Sequence, residues 1–271
     1  MADRPTRAPG PYRALLGSRV RAQFSYRASF AADVLANVGT GLSEFATIYV
    51  VFSRTDELGG LDVWQAALVF ALANVAFSIA DLVVGHVDTL PTLVRTGALD
   101  AFLLRPLPVL AQLATSDVAL RRVGRVLVAA LVFAVAWPRA GVEFDGRAVA
   151  LLVVAVLGGA AIFSAVFVVA GSLQFWLLDG REAVNSITYG GSNAAQYPAS
   201  LYSGPLRWLF CYVVPAAFVA YLPVLVLLGE PGPAGLPAWL GWCSPVAAAL
   251  LWVVALLLWR GGVRHYTGSG S

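Results

Sequence analysis

The sequence predicts an all-α polytopic membrane protein, and three observations carry that expectation. Of the 271 residues, 59% are hydrophobic and 12% are charged, with a mean hydropathy of +0.77, too little charge to cover a soluble domain of this size. Six apolar segments, near 30–53, 63–86, 118–137, 148–178, 207–229 and 244–260, each reach the roughly 20 residues a helix needs to cross a bilayer. With the N-terminus inside, 15 of the 18 arginines fall on the inner side, and only Arg54, Arg139 and Arg147 fall outside. That asymmetry predicts an N-in, C-in topology with six transmembrane helices.

Residues 1–10 are rich in Pro and Arg and are expected to be disordered. Over 11–28, Tyr12, Leu15, Leu16, Val20 and Phe24 share one side, while Arg13, Arg19, Arg21 and Arg27 lie mostly on the other. This is the pattern of an amphipathic helix lying in the interface against anionic headgroups. A plain positive-inside anchor for the first span fits the same residues. The transmembrane domain then occupies 29–262, and 263–271 is a cytoplasmic tail. The fourth segment is longer than a crossing requires, so it must tilt, break near Gly158-Gly159 or extend along the surface. Pro215 and Pro223 predict a kinked helix in the fifth.

Two polar stretches interrupt this pattern. Residues 179–206 carry Asp179, Arg181, Glu182, Asn185, Asn193 and Gln196, too polar to face lipid. The expectation is a cytoplasmic interfacial helix, with a partly re-entrant segment as the alternative. Leu236 to Trp242 reads as a short outer interfacial helix with its tryptophans at headgroup level. The other stretch is the cytoplasmic loop 87–117. Pro91 suits a first helical turn, because its missing N–H would be unpaired there anyway. Leu93, Val94, Leu99, Phe102 and Leu103 give a one-sided apolar face, and Arg105-Pro106-Leu107-Pro108 ends the run. Either a short force-transmitting helix or an ordinary loop with a helical turn satisfies this pattern.

Polar groups inside the spans recur at helical spacing. The first span carries Asp33, Asn37, Thr40, Glu44 and Thr47, and the second carries Asn74, Ser78 and Asp81. An acid at the bilayer centre costs a few kcal/mol, so these groups must face helices or water. They can line a path for a polar or cationic solute, or act as hydrogen-bonding glue at a helix or subunit interface. Asp33 also suits a helix start or a partner for nearby arginines. No Walker-type glycine loop, Gly-x-Ser-x-Gly or His-Glu-x-x-His appears, so no catalytic residue is expected. Cys211 and Cys243, His86 and His265 give no metal site. Gly158-Gly159 and Gly190-Gly191 read as packing or bending points. Every basic residue is Arg and none is Lys, which fits coding bias, and the pI of 9.1 reflects loop arginines rather than a nucleic-acid surface. No cleavable signal is expected, and the lack of inverted repeats argues against a secondary transporter.

Four places resemble the permease subunit of an ABC-2-type exporter, in the uncharacterised-permease branch that pairs two different permeases with one ATPase. They are the basic entry helix and the run Thr96-Gly97-Ala98-Leu99-Asp100-Ala101-Phe102-Leu103-Leu104-Arg105-Pro106-Leu107. The others are the segment from Tyr197-Pro198 through Arg207-Trp208, Pro215 and Pro223 to Leu228-Gly229, and the tail from Trp259 to Ser271. The resemblance implies a coupling helix built from Pro91, Leu93, Val94, Arg95, Gly97, Leu99, Asp100, Phe102 and Leu103, docked on an ABC ATPase present in two copies. Leu99 and Phe102 are its expected buried anchors. It also implies a second permease, a heterodimer rather than a homodimer, with the solute path between the two. ATP and magnesium belong to the ATPase, and this chain binds no cofactor. The expected protein sits in a bacterial inner membrane among its lipids. It exports an amphiphilic small molecule, drug or lipid-like substrate from the cytoplasm or inner leaflet. A non-transporting membrane scaffold or accessory subunit is the alternative.

Overall fold

In a computed structural model the chain is described over residues 27–52, 54–55, 57, 59–116, 123–177, 181–202, 204–205, 209, 214–232 and 236–266. The expected disordered start, most of the entry helix and the last five residues of the tail lie outside these. All regular structure among the described residues is helical. It comprises α1 (Arg27–Phe52), α2 (Val63–Val84), α3 (Leu90–Arg95), α4 (Ala98–Leu103), α5 (Val109–Ser116), α6 (Val123–Ala136), α7 (Gly146–Leu173), α8 (Arg181–Ala195), α9 (Tyr221–Leu228) and α10 (Ser244–His265).

Four helices are long and apolar enough to cross a membrane: Phe30–Phe52, Val63–Arg95, Gly146–Leu173 and Ser244–His265. The first, second, fourth and sixth predicted segments correspond to them. The third is represented by α6, whose 14 described residues follow an undescribed 117–122. The fifth differs from expectation. Over 214–229 the chain makes a 3-10 turn, Ala216–Phe218, and then the eight-residue α9. Pro223 sits in the first turn of α9, where no N–H is needed, so it kinks nothing.

Two caps set the entries of the central helices. The Asp62 carboxylate accepts from the N–H groups of Trp64 and Gln65, and Gln65 returns a side-chain oxygen to the Asp62 N–H, a complete capping box. Asp145 accepts from the Ala148 N–H at the start of α7. Arg139 lies over the Trp64 ring at 4.8 Å and clamps the end of α6 to the start of α2.

The helices pack in the order α1, α6, α2, α7, α10, with α8 laid against α2 and α7. Inside the bundle Phe77 meets Phe163 edge-on at 5.2 Å and stacks on Phe167 at 5.6 Å. Close approach is permitted by missing side chains. A Cβ on Gly171 would strike Val87, and one on Gly158 would strike the Ser244 side chain and lie 3.0 Å from its backbone carbon. The expected break at Gly158-Gly159 is therefore one of the alternatives the structure rejects. α7 runs unbroken for 28 residues, and these glycines are where α10 and α2 touch it.

Within 179–206, α8 packs against α2 and α7. The Tyr189 ring packs against Phe77 and Phe167, and its hydroxyl donates to Asp88 Oδ2 at 3.2 Å, at the α3 end of the bundle. Beyond α8, Ser200 Oγ donates to the Gly59 carbonyl at 2.8 Å, at the opposite end. The segment thus runs through the bundle. Of its polar residues, Thr188, Ser192 and Gln196 are buried, whereas Glu182, Ser186 and Asn193 are exposed. Gly158→Ala is expected to cost about 1–3 kcal/mol by overpacking the α7–α10 contact. A lowered midpoint in thermal unfolding of the detergent-solubilised chain checks this.

Candidate functional site

The polar interruption at 87–117 is almost wholly helical. α2 passes through a 3-10 turn, Gly85–Thr89, into α3, so the second span and the start of the loop form one 33-residue rod. Pro91 lies in the first turn of α3, as its chemistry requires, but it is buried. The rod ends because Gly97 takes a φ of +70°, a conformation costly for any residue with a Cβ. α4 follows. The single helix expected over 91–104 is therefore two short helices joined by a left-handed glycine.

α4 is held on three sides. Leu99 is 1% exposed and belongs to the core, which corrects its expected role as an anchor for a partner. Asp100 Oδ1 accepts a 2.9 Å hydrogen bond from the hydroxyl of Tyr266, immediately after α10. Gln112, buried on α5, donates from Nε2 to the Phe102 carbonyl at 2.9 Å and the Leu107 carbonyl at 2.8 Å. That fork fixes the Arg105-Pro106-Leu107-Pro108 elbow, whose prolines cannot supply N–H donors of their own. Leu93, Val94 and Phe102 are partly buried against the core, and Arg105 lies 5.7 Å from the Phe102 ring centroid. Leu104, which is 86% exposed, and Leu103 are the apolar side chains left on the outside, beside exposed Arg95.

Gln112 and Tyr266 were not among the expected site residues. Gln112 had a signal: it is the one polar side chain in the run Val109 to Ala114. Tyr266 had none, because its partner is 166 residues away.

The two intramembrane stripes separate. On α1, Thr40 and Thr47 are exposed and return their hydroxyls to the carbonyls of Ala36 and Ser43. Asp33 is also exposed, and Asn37 Nδ2 donates to its carbonyl. Asn37 and Glu44 turn toward α6. The Asn37 Cβ crowds Gly124, and Glu44 Oε1 accepts from Arg125 Nη2 at 2.9 Å, with both side chains about one-fifth exposed. Arg125, counted with the loop arginines in the topology argument, is thus a helical residue. It is the partner Glu44 lacks on its own helix. Asn74, Ser78 and Asp81 are buried within the bundle, and Asn74 Nδ2 donates to the Phe70 carbonyl. Among the described residues, no group of three or more His, Cys, Asp and Glu side chains could hold a metal ion.

A family model described as ABC-2 family transporter protein matches residues 39–270. The chain belongs to this family. No curated protein and no solved structure matches it. The match covers Thr40, Glu44 and Thr47 of the first stripe, all of the second, the 87–117 region and α10, and leaves Asp33 and Asn37 before its start. An ABC-2 permease is the membrane component of a transporter and generally works with an ATPase subunit. Glu44→Gln or Arg125→Met alone is expected to lower stability by leaving one half-buried polar group unmatched. A double-mutant cycle on detergent unfolding should return a coupling of about 0.5–3 kcal/mol, whereas additive losses would mean that the pair does not interact.

Proposed function

We propose that this chain is the permease subunit of an ATP-driven ABC-2-type exporter, and that α4 docks on its ATPase. The observation that carries the reading is the mounting of α4. Leu99, Asp100 and the Phe102 carbonyl are each fixed to a different part of the bundle, and Leu103 and Leu104 are left outside. A pre-ordered apolar pair loses little entropy on binding, so it can serve as an anchor. ATP and magnesium are held by the two ATPase copies, and a second, different permease completes the membrane part.

In this reading the rod-end bearing Arg95 is cytoplasmic, consistent with the concentration of arginine there. Four of the six crossings in this reading are α1, α2, α7 and α10. Closure of the ATPases on ATP displaces α4. The displacement passes through α3 into α2, through Gln112 into α5, and through Tyr266 into α10. Access at the permease–permease interface then switches from inward to outward for an amphiphilic small molecule, drug or lipid-like substrate.

Leu104→Asp should leave the permease inserted and its unfolding midpoint nearly unchanged, as for most surface substitutions. It should weaken ATPase co-purification by the roughly 30-fold that loss of an anchor worth about 2 kcal/mol implies. Leu99→Asp should instead destabilise the chain itself, because it buries a carboxylate in the core. If Leu104→Asp retains the ATPase and full substrate-stimulated hydrolysis, α4 is not the docking element. A scaffold or accessory role then becomes the better account. Tyr266→Phe is a subtler probe. It removes one hydroxyl, should leave ATPase binding intact, and should lower the substrate stimulation of ATP hydrolysis.

A further inference from the structure

A groove of about 580 Å³ runs between α5 and α10 at the α4 end of the bundle. Its α10 wall includes the row Trp252, Leu256, Arg260 and Arg264, each four residues from the next, with Trp259 and Val263 beside it. Val84 and Val109 contribute from the other side. The face changes character along its length. Trp252 and Leu256 are apolar, and the Trp252 ring is fixed by its indole N–H, which donates to the Ala161 carbonyl at 3.0 Å. Arg260 and Arg264 follow at the end nearer the terminus. Both are exposed, and no described carboxylate lies within ion-pair distance of either.

From Trp252 to Arg264 the helix rises roughly 18 Å, close to half the thickness of a bilayer with its headgroups. An apolar half leading to a pair of guanidinium groups matches an acyl chain leading to a phosphate. Guanidinium groups bind phosphate oxygens bidentately, and two positive charges favour a headgroup with net negative charge over a zwitterionic one.

We infer that this groove binds one anionic phospholipid of the leaflet at the α4 end, with its chain on Trp252 and Leu256 and its phosphate on Arg260 and Arg264. The site is independent of the transport reading, because it requires only that the chain lie in a membrane. It abuts α5, so an occupying lipid braces the elbow that Gln112 holds.

The test is native mass spectrometry of the purified, detergent-solubilised full chain with its co-purified subunits, titrated with phosphatidylglycerol or with phosphatidylethanolamine of the same acyl chains. The chain should retain phosphatidylglycerol preferentially. Arg260→Gln with Arg264→Gln should reduce that preference by roughly tenfold or more, the effect of removing two basic residues from an anionic headgroup. Leu256→Trp, which fills the groove and leaves both arginines, should lower retention of both lipids. Arg54→Gln with Arg147→Gln, at the other end of the bundle, should change nothing. Equal retention of the two lipids by the unaltered chain would overturn the assignment. So would a preference that survives the paired glutamines, or one that survives Leu256→Trp and therefore belongs to surface charge alone. Loss of a subunit from the paired-glutamine variant with lipid retention unchanged would make the groove a protein contact instead.

Discussion

Close approach to α7 is the constraint on which the rest of the bundle depends. In a bilayer, lipid tails are as apolar as leucine, so burial of apolar surface does little to hold helices together and van der Waals contact must do it. α7 supplies that contact by having no side chains where its neighbours press. Ser244 sits over Gly158, Val219 and Ala76 over Gly159, and Val87 over Gly171. These contacts fix α10, the 214–220 turn, α2 and the 3-10 segment before α3 against one unbroken helix. The aromatic cluster of Phe77, Phe163, Phe167 and Tyr189 fills the space that remains and brings α8 into the same packing.

Many hydroxyl groups along the long helices are answered from nearby. Thr40, Ser43, Thr47, Ser164 and Ser172 return their hydroxyls to carbonyls one turn back on their own helices. Other side-chain bonds cross between elements. Arg125 to Glu44 joins α6 to α1, Tyr189 to Asp88 joins α8 to the base of α3, and Tyr266 to Asp100 joins the end of α10 to α4. The α4 end is thereby connected to both the second and the last long helices.

Much of this was legible in the chain itself. Length and apolarity located α1, α2, α7 and α10, and proline chemistry located the first turn of α3. What escaped did so for physical reasons. The polarity of 179–206 suggested water, but Thr188, Ser192 and Gln196 are buried against protein, and hydropathy cannot tell the two surroundings apart. Leu99 and Leu104 are the same residue type, five positions apart. Only the turn at Gly97 and the Asp100–Tyr266 bond decide that the first points into the core and the second out of it. Glu44 and Arg125 belong to different periodic patterns, and helical spacing links residues within a helix, never between two.

The pairing of Glu44 with Arg125 also has a consequence for biogenesis. The partners are separated by 81 positions in the chain, and at about 5–20 residues per second a ribosome needs roughly 4–16 s to make that stretch. During that interval α1 has left the ribosome and its carboxyl group has no α6 to meet. A lone acid near the middle of a bilayer costs a few kcal/mol, so full insertion of α1 is disfavoured until α6 arrives. The seating of α1 therefore waits on a helix made later.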